Sequence, residues 1–204
     1  MDQEYRNYVE SGNLAAAQRM VDDEASRHGF SHEVFRSNET LVHVFDTVSR
    51  SAWFTENHED ALDYGDGPVS RYFLKSDNFA SLDNPTIRHR LSDLVRPEDF
   101  DDLCGVTYAM AAIREQLLPE FLGVRTESYG MGEKIDHFNP FHPHLIRSAE
   151  AVVYDDRGEL VPLSHRFPPG SSDIRGLTPS VLFTPEPLPN PSLAPSRRSL
   201  ARSK

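Results

Sequence analysis

A few short stretches of this chain hold residue types whose spacing could do chemistry. The first, Trp53-Phe-Thr-Glu-Asn-His-Glu-Asp-Ala-Leu-Asp-Tyr64, carries an aromatic ring at each end. Trp53-Phe54-Thr55 has the β-branched and aromatic content of a strand end. Asn57 predicts an N-cap for a helix with Ala61 and Tyr64 on one face. Such a corner could sandwich a flat heterocycle and turn a helix N-terminus toward an anion. It could equally be a hydrophobic corner filled by core aromatics, which are far commoner than ligand clamps.

A second stretch joins Asp136-His137 to His142-Pro-His144. His142 and His144 at i, i+2 share one face of an extended strand, a donor pair suited to zinc or another borderline metal. No cysteine or spaced second motif completes a set, so a His-rich stretch beside the core is the preferred reading and no metal is assigned. Asp60, Asp63 and Asp66 recur at helical spacing and read as a solvated face, because calcium-loop ligands alternate at every second position. Ser164-His165 and the single Cys104 are nucleophile types without a discernible base, and both read as structural. No Gly-rich phosphate loop of Walker or Rossmann form is present, which excludes a dinucleotide fold of that kind.

Recognisable elements must position these residues. Tyr5 to His28 predicts a helical pair broken near Ser11-Gly12-Asn13. In its second helix Leu14, Ala17, Val21 and Ala25 form the apolar stripe, Asn13 is the N-cap and Gly29 the stop. Val34-Phe35-Arg36 predicts a strand, Leu41 to Phe45 a short strand or extended loop, and Val69 to Lys75 a further strand before the turn-like Leu82-Asp-Asn-Pro85. Ile87 to Asp102, with a stop at Pro97, predicts one or two short helices. Val106 to Leu118 predicts a long helix with Ala109, Ala112, Ile113 and Leu117 on one face, ended by Pro119. Ala151 to Tyr154 and Glu159 to Leu163 flank Asp155-Asp-Arg-Gly158, a hairpin turn signal. After Pro168 periodicity disappears and no structure is predicted. Helices and short strands in this order point to an α+β domain with a split or mixed sheet.

The 204 residues suffice for one domain of ordinary size. One cysteine excludes a disulfide framework, and a reducing, cytoplasmic compartment is expected. Neither a signal peptide nor a membrane span is expected. The net charge of −11 is uneven. Five basic residues (Arg175, Arg197, Arg198, Arg202, Lys204) against two acidic ones (Asp173, Glu186) from Ser171 onward leave −14 on the first 170 residues. A body that acidic repels phosphate at long range, so general nucleic-acid binding is not expected.

Taken in order, these segments resemble the ADP-ribosyltransferase domain of phage and mobile-element polyvalent proteins. The stretch Tyr8 to Phe30 is similar to that family's helical lead-in. Phe35-Arg-Ser-Asn38 stands where the family usually has Tyr-His-Gly-Thr. Phe45-Asp46 and Trp53-Phe-Thr55 resemble its aromatic-Asp and aromatic-Phe-Thr blocks, and Ala61-Leu-Asp-Tyr64 its helix ending in a second tyrosine. Phe141-His-Pro143, Leu145-Ile-Arg-Ser-Ala149, Tyr154 to Phe167 and Asp173-Ile-Arg175 follow in the same order. The resemblance spans residues 8 to 175.

The resemblance implies an ADP-ribosyltransferase-like split or mixed sheet over 31–175 behind a helical lead-in over 1–30, and composition makes 176–204 a Pro/Ser/Arg-rich disordered tail. The resemblance also implies transfer of ADP-ribose from NAD to a macromolecular or small-molecule acceptor, or hydrolysis of NAD, with loss of nicotinamide. The second implied reading is a catalytically degenerate member acting as a binding module of a phage or mobile element, in a bacterial or phage-infected cell. Trp53 and Tyr64 would stack on nicotinamide, and Arg36, with Ser37 and Thr55 beside it, would hold ribose or pyrophosphate oxygens. Arg36 stands where a His is usual; a guanidinium is permanently charged and cannot copy a neutral imidazole. The family's catalytic Glu aligns with His137. Asp136 would point to the opposite face of a strand, Glu133 would serve if the loop is bulged, and Glu127 lies further out.

Overall fold

The structure, a computed structural model, describes residues 1–49, 51–130 and 133–177. Two helices, α1 (Asp2–Glu10) and α2 (Leu14–Arg27), open the chain. Asn13 caps α2 by accepting the Ala16 N–H, and Gly29 takes a φ of 78° just past its end. Ala17, Val21 and Ala25 are fully buried, while Leu14, in the first turn, is half exposed.

Seven strands follow: β1 (His32–Ser37), β2 (Phe54–Thr55), β3 (Val69–Leu74), β4 (Phe79–Ser81), β5 (Gly123–Gly130), β6 (Glu133–Pro140) and β7 (Ile146–Ser148). They form one mixed sheet in the order β4-β5-β6-β2-β1-β3-β7, antiparallel except for β4 with β5. With α3 (Pro85–Arg90) and α4 (Leu103–Leu117) the fold is α+β. Leu41 to Phe45 is loop, and the hairpin predicted around Asp155 to Gly158 shrinks to its turn and one bridge, Tyr154 to Leu160. Pro97 opens a 3₁₀ helix (Pro97–Asp101) where a stop was expected; a helix's first turn tolerates proline because its N–H has no partner there. α4 begins earlier than predicted because Asp102 caps it, and it buries Val106, Met110, Ile113 and Leu117.

Strand alternation decides what lies where. Phe35, Thr55, His137, Phe73 and Val124 share one face by register, and both helix pairs lie on it. There α1 and α2 pack on Phe73 with Phe30, Ala149 and Phe167, while α3 and α4 pack on Ala80 and Val124 with Trp53 and Leu82. The opposite face gathers Val34, Phe54, Tyr72, Leu74, Phe138 and Ile146 under Phe45 and Ile174, which arrive from loops.

The two halves of the sheet meet at β2, a two-residue strand. It pairs with β6 through Phe54 to Phe138 and Thr55 to His137, but with β1 only through Phe35 to Thr55.

The segment after Pro168 departs from expectation: Ser171, Ile174 and Arg175 are buried. The Ile174 N–H donates to the His43 carbonyl oxygen and its own carbonyl accepts from Ser148, both at 2.8 Å, so the chain runs along the edge of β7. Backbone pairing and the Arg175 links to Asp173 and Asp156 hold it, neither of which leaves a periodic apolar pattern to read. Of the disordered tail expected over 176–204, Gly176 is instead buried, its N–H donating to the Asp173 carbonyl oxygen, and the Leu177 carbonyl oxygen accepts from the Ser171 hydroxyl; the rest, from 178 onward, lies outside the described residues.

Candidate functional site

The site lies where β1 and β2 have used their single registered pair. Past it the two strands no longer pair, and at this opening in the ladder Arg36 donates from Nη1 to the Trp53 carbonyl oxygen at 2.5 Å and from Nε to Asn38 Oδ1 at 3.2 Å. The guanidinium carbon sits 6.0 Å from the Phe45 ring centre, 5.9 Å from Phe54 and 5.7 Å from Tyr64, within the range of cation–π attraction. Among the described residues no carboxylate pairs with it. Burial pulls its pKa below the usual arginine value, opposed by Tyr64 and Tyr72. Arg36 is therefore a half-buried cation balanced by rings and carbonyls rather than by an acid.

Tyr64 comes from a 3₁₀ helix (Asp60–Tyr64) rather than the α-helix expected. Glu59, not Asn57, stands at its N-cap; Asn57 makes the turn that leads in, its Oδ1 accepting the Glu59 and Asp60 N–H groups at 2.8 and 3.3 Å. The turn after this helix is pinned hard against β1. A Cβ on Gly67 would fall 1.7 Å from the Asn38 carbonyl oxygen, so only glycine lets the two backbones approach. Ser37 completes the pin: its hydroxyl lies 2.9 Å from the Gly65 carbonyl oxygen and 2.7 Å from that of Gly67.

On the helix-bearing face, Tyr64 Oη bonds His137 Nδ1, and Ser128 Oγ lies 2.6 Å from His137 Nε2. Thr55 and Thr126 flank His137 by register, and all three are buried. Burial lowers the His137 pKa, partly offset by the negative charges of Asp60 and Asp136, so the ring is neutral at pH 7. Burial likewise raises the Tyr64 phenol, with Arg36 opposing, and keeps it protonated.

Several residues picked from the sequence do not offer their side chains to this opening. Trp53 is a core residue, 5% exposed under α4, with its indole N–H donating to Thr107 Oγ1 at 2.7 Å. Its ring faces are taken by packing, so it cannot serve as a stacking wall in this conformation. Ser37 and Thr55 are closed off as well, at 1% and 0% exposure, and Thr55 Oγ1 accepts the Asn57 N–H. Asp136 lies on the opposite face from His137, 3.7 Å from Arg125, and Glu127 pairs with Lys134 on that same face. The Glu133 side chain lies outside the described residues. His142 and His144 stack on each other at 5.2 Å, and among the described residues no group of three His, Cys, Asp or Glu is placed to hold a metal ion.

Three participants had no site role in the sequence, although Asn38 and Phe45 belong to the blocks that carry the resemblance. Asn38 and Phe45 attend Arg36, and Ser128 attends His137. Only the β5–β6 register brings Ser128 to His137, nine positions away. No protein-family model matches this chain, and no curated protein or solved structure matches it either. Among the described residues no helix is long and apolar enough to cross a membrane.

Proposed function

We propose that the chain is an NAD-dependent ADP-ribosyltransferase-like protein that takes NAD at the opening between β1 and β2. It would transfer ADP-ribose to an acceptor, or to water, with release of nicotinamide. The observation that carries this reading is Arg36, a cation without a carboxylate partner among the described residues, seated among Phe45, Phe54 and Tyr64. A planar guanidinium binds pyrophosphate oxygens in pairs, and a ring beside it suits a flat heterocycle. Tyr64 and His137 add neutral hydrogen-bonding groups suited to ribose hydroxyls. The Trp53 ring takes no part; its carbonyl oxygen holds Arg36.

A second reading rests on His137. Breaking the nicotinamide–ribose bond builds positive charge on the sugar, which a carboxylate stabilises. The position that resembles the family's glutamate holds a neutral imidazole tied to two hydroxyls, and Asp136 faces the other way. This favours a member that binds NAD without cleaving it.

Titrating NAD into the full chain by calorimetry, with free nicotinamide followed by chromatography, separates the two. Binding with nicotinamide release above the buffer rate supports the transferase, and binding without release supports the binding module. Neither binding nor release overturns both.

A further inference from the structure

Among the described residues, two serine hydroxyls lie beside an imidazole, Ser76 at the partly exposed His32 and Ser128 at the buried His137. The Ser128 Oγ lies 2.6 Å from His137 Nε2, while Tyr64 Oη bonds the other ring nitrogen. A neutral imidazole has one N–H and one lone pair, so two hydroxyls satisfy it in either tautomer. In the tautomer with the proton on Nδ1, Tyr64 accepts and Nε2 is free to take the Ser128 proton, the serine–histidine relation of nucleophilic catalysis. Burial keeps His137 unprotonated and hence able to act as a base at neutral pH. Ser128 is half-buried and has no other side-chain hydrogen bond among the described residues. The same Tyr64 ring that bonds His137 lies 5.7 Å from the Arg36 guanidinium carbon. Serine, base, ring and cation are thus linked by successive contacts, with Tyr64 joining Ser128 and His137 on the helix-bearing face to Arg36 on the face of Val34 and Phe54.

We infer that Ser128 is an internal acceptor of ADP-ribose, modified by the chain's own site; this rests on the proposal that NAD binds at Arg36. In the step, Ser128 Oγ forms a bond to C1′ of the nicotinamide ribose while the C1′–N bond breaks. The electron pair of that bond passes to the pyridinium nitrogen, and nicotinamide leaves neutral. The Ser128 proton moves to His137 Nε2 and then to solvent. No oxidant or further reactant is needed. The neutral imidazole at the position resembling the family's glutamate thereby raises the nucleophilicity of the acceptor instead of stabilising charge on the sugar. The product would place an ADP-ribosyl group over the opening and block a second turnover, so the reaction would run once per chain.

The experiment is incubation of the full chain with NAD, followed by intact mass, peptide mapping by electron-transfer fragmentation and measurement of free nicotinamide. The expected result is one ADP-ribosyl group per chain, located on Ser128, with about one nicotinamide released for each. Ser128→Ala should abolish the adduct, and His137→Gln, which keeps a polar side chain but no base, should slow its formation at least about tenfold. An exposed serine control, Ser92→Ala, should label like the parent. Nicotinamide release with the adduct elsewhere, or with no adduct, overturns the acceptor role and leaves the NAD reading standing. Neither NAD binding nor release overturns both. Mapping on the unaltered chain decides the matter even if the variants do not fold, which circular dichroism will show.

Discussion

Asp136 and His137 are neighbours on β6 and both were candidates for one role, yet they sit in different media. His137 is 4% exposed and bonded to two hydroxyls on the face that carries the helices. Asp136 points to the other face, its side chain 21% exposed beside Arg125, Glu127 and Lys134. Burial shifts both away from their charged forms: it lowers the imidazole pKa and raises the carboxyl, the latter with help from Glu56. The period of two along a strand makes this split unavoidable. A sequence alignment that slides by one residue therefore exchanges a buried, neutral base for a partly buried acid beside Arg125.

The contrast can be broken or sharpened by substitution. The largest effect is expected where the helix-bearing face is most closely packed. Trp53→Ala should cost about 3–5 kcal/mol in urea unfolding, the usual loss for a buried aromatic side chain. A loss below about 1 kcal/mol would mean that Trp53 is not a core residue and that this face is not dry. Arg36→Ala should weaken NAD binding by about tenfold to a hundredfold in calorimetry, the loss of charge-assisted bonds to an anion. Unchanged affinity would remove Arg36 from the site.

His137→Asn should cost roughly 1–3 kcal/mol, because at least one of the Tyr64 and Ser128 hydroxyls is left without a partner. The pH dependence should follow from the same group. In the unfolded chain His137 takes a proton near its ordinary 6.5, whereas the folded protein resists it. Its contribution to stability is therefore complete above 6.5 and is lost as pH falls through the lower folded value. His142 and His144 shift in the same direction, so the difference between parent and His137→Asn unfolding curves at pH 7 and pH 5 isolates His137. A variant as acid-sensitive as the parent would mean that His137 is not buried neutral.

The smallest effect is expected from Asp136→Asn. Its carboxyl titrates above 3.8 in the fold, so its favourable contribution is present below 3.8 and lost as pH rises through the folded value. Near pH 7 the neutral amide should therefore leave thermal stability within about 0.5 kcal/mol of the parent. A loss as large as that of His137→Asn would erase the distinction between the two faces.

Much of the scaffold was legible because its signals are local. The α1–α2 hairpin, β1, β3 and α4 follow from apolar spacing and from Asn13, Gly29 and Pro119. The corner from Trp53 to Tyr64 was legible as a strand end and a helical turn, but not in its use. Trp53 and Tyr64 carry the same kind of ring, and nothing in their spacing says that α4 covers one and Arg36 borders the other. The sheet was the least legible part. β4 and β7 are three residues long, β2 is two, and so short a run shows no period.

By itself the sequence determined an acidic α+β chain with a helical lead-in, a single thiol, no Walker or Rossmann phosphate loop, and aromatic and histidine residues at spacings that could serve a site. Those are properties of composition and of residues within a few positions of one another. Only the tertiary structure decided that Trp53 is core, that Arg36 lacks an acid partner among the described residues, and that Ser128 meets His137. Each depends on strand register and on which face a layer covers, and a shift of one residue in pairing would reverse it.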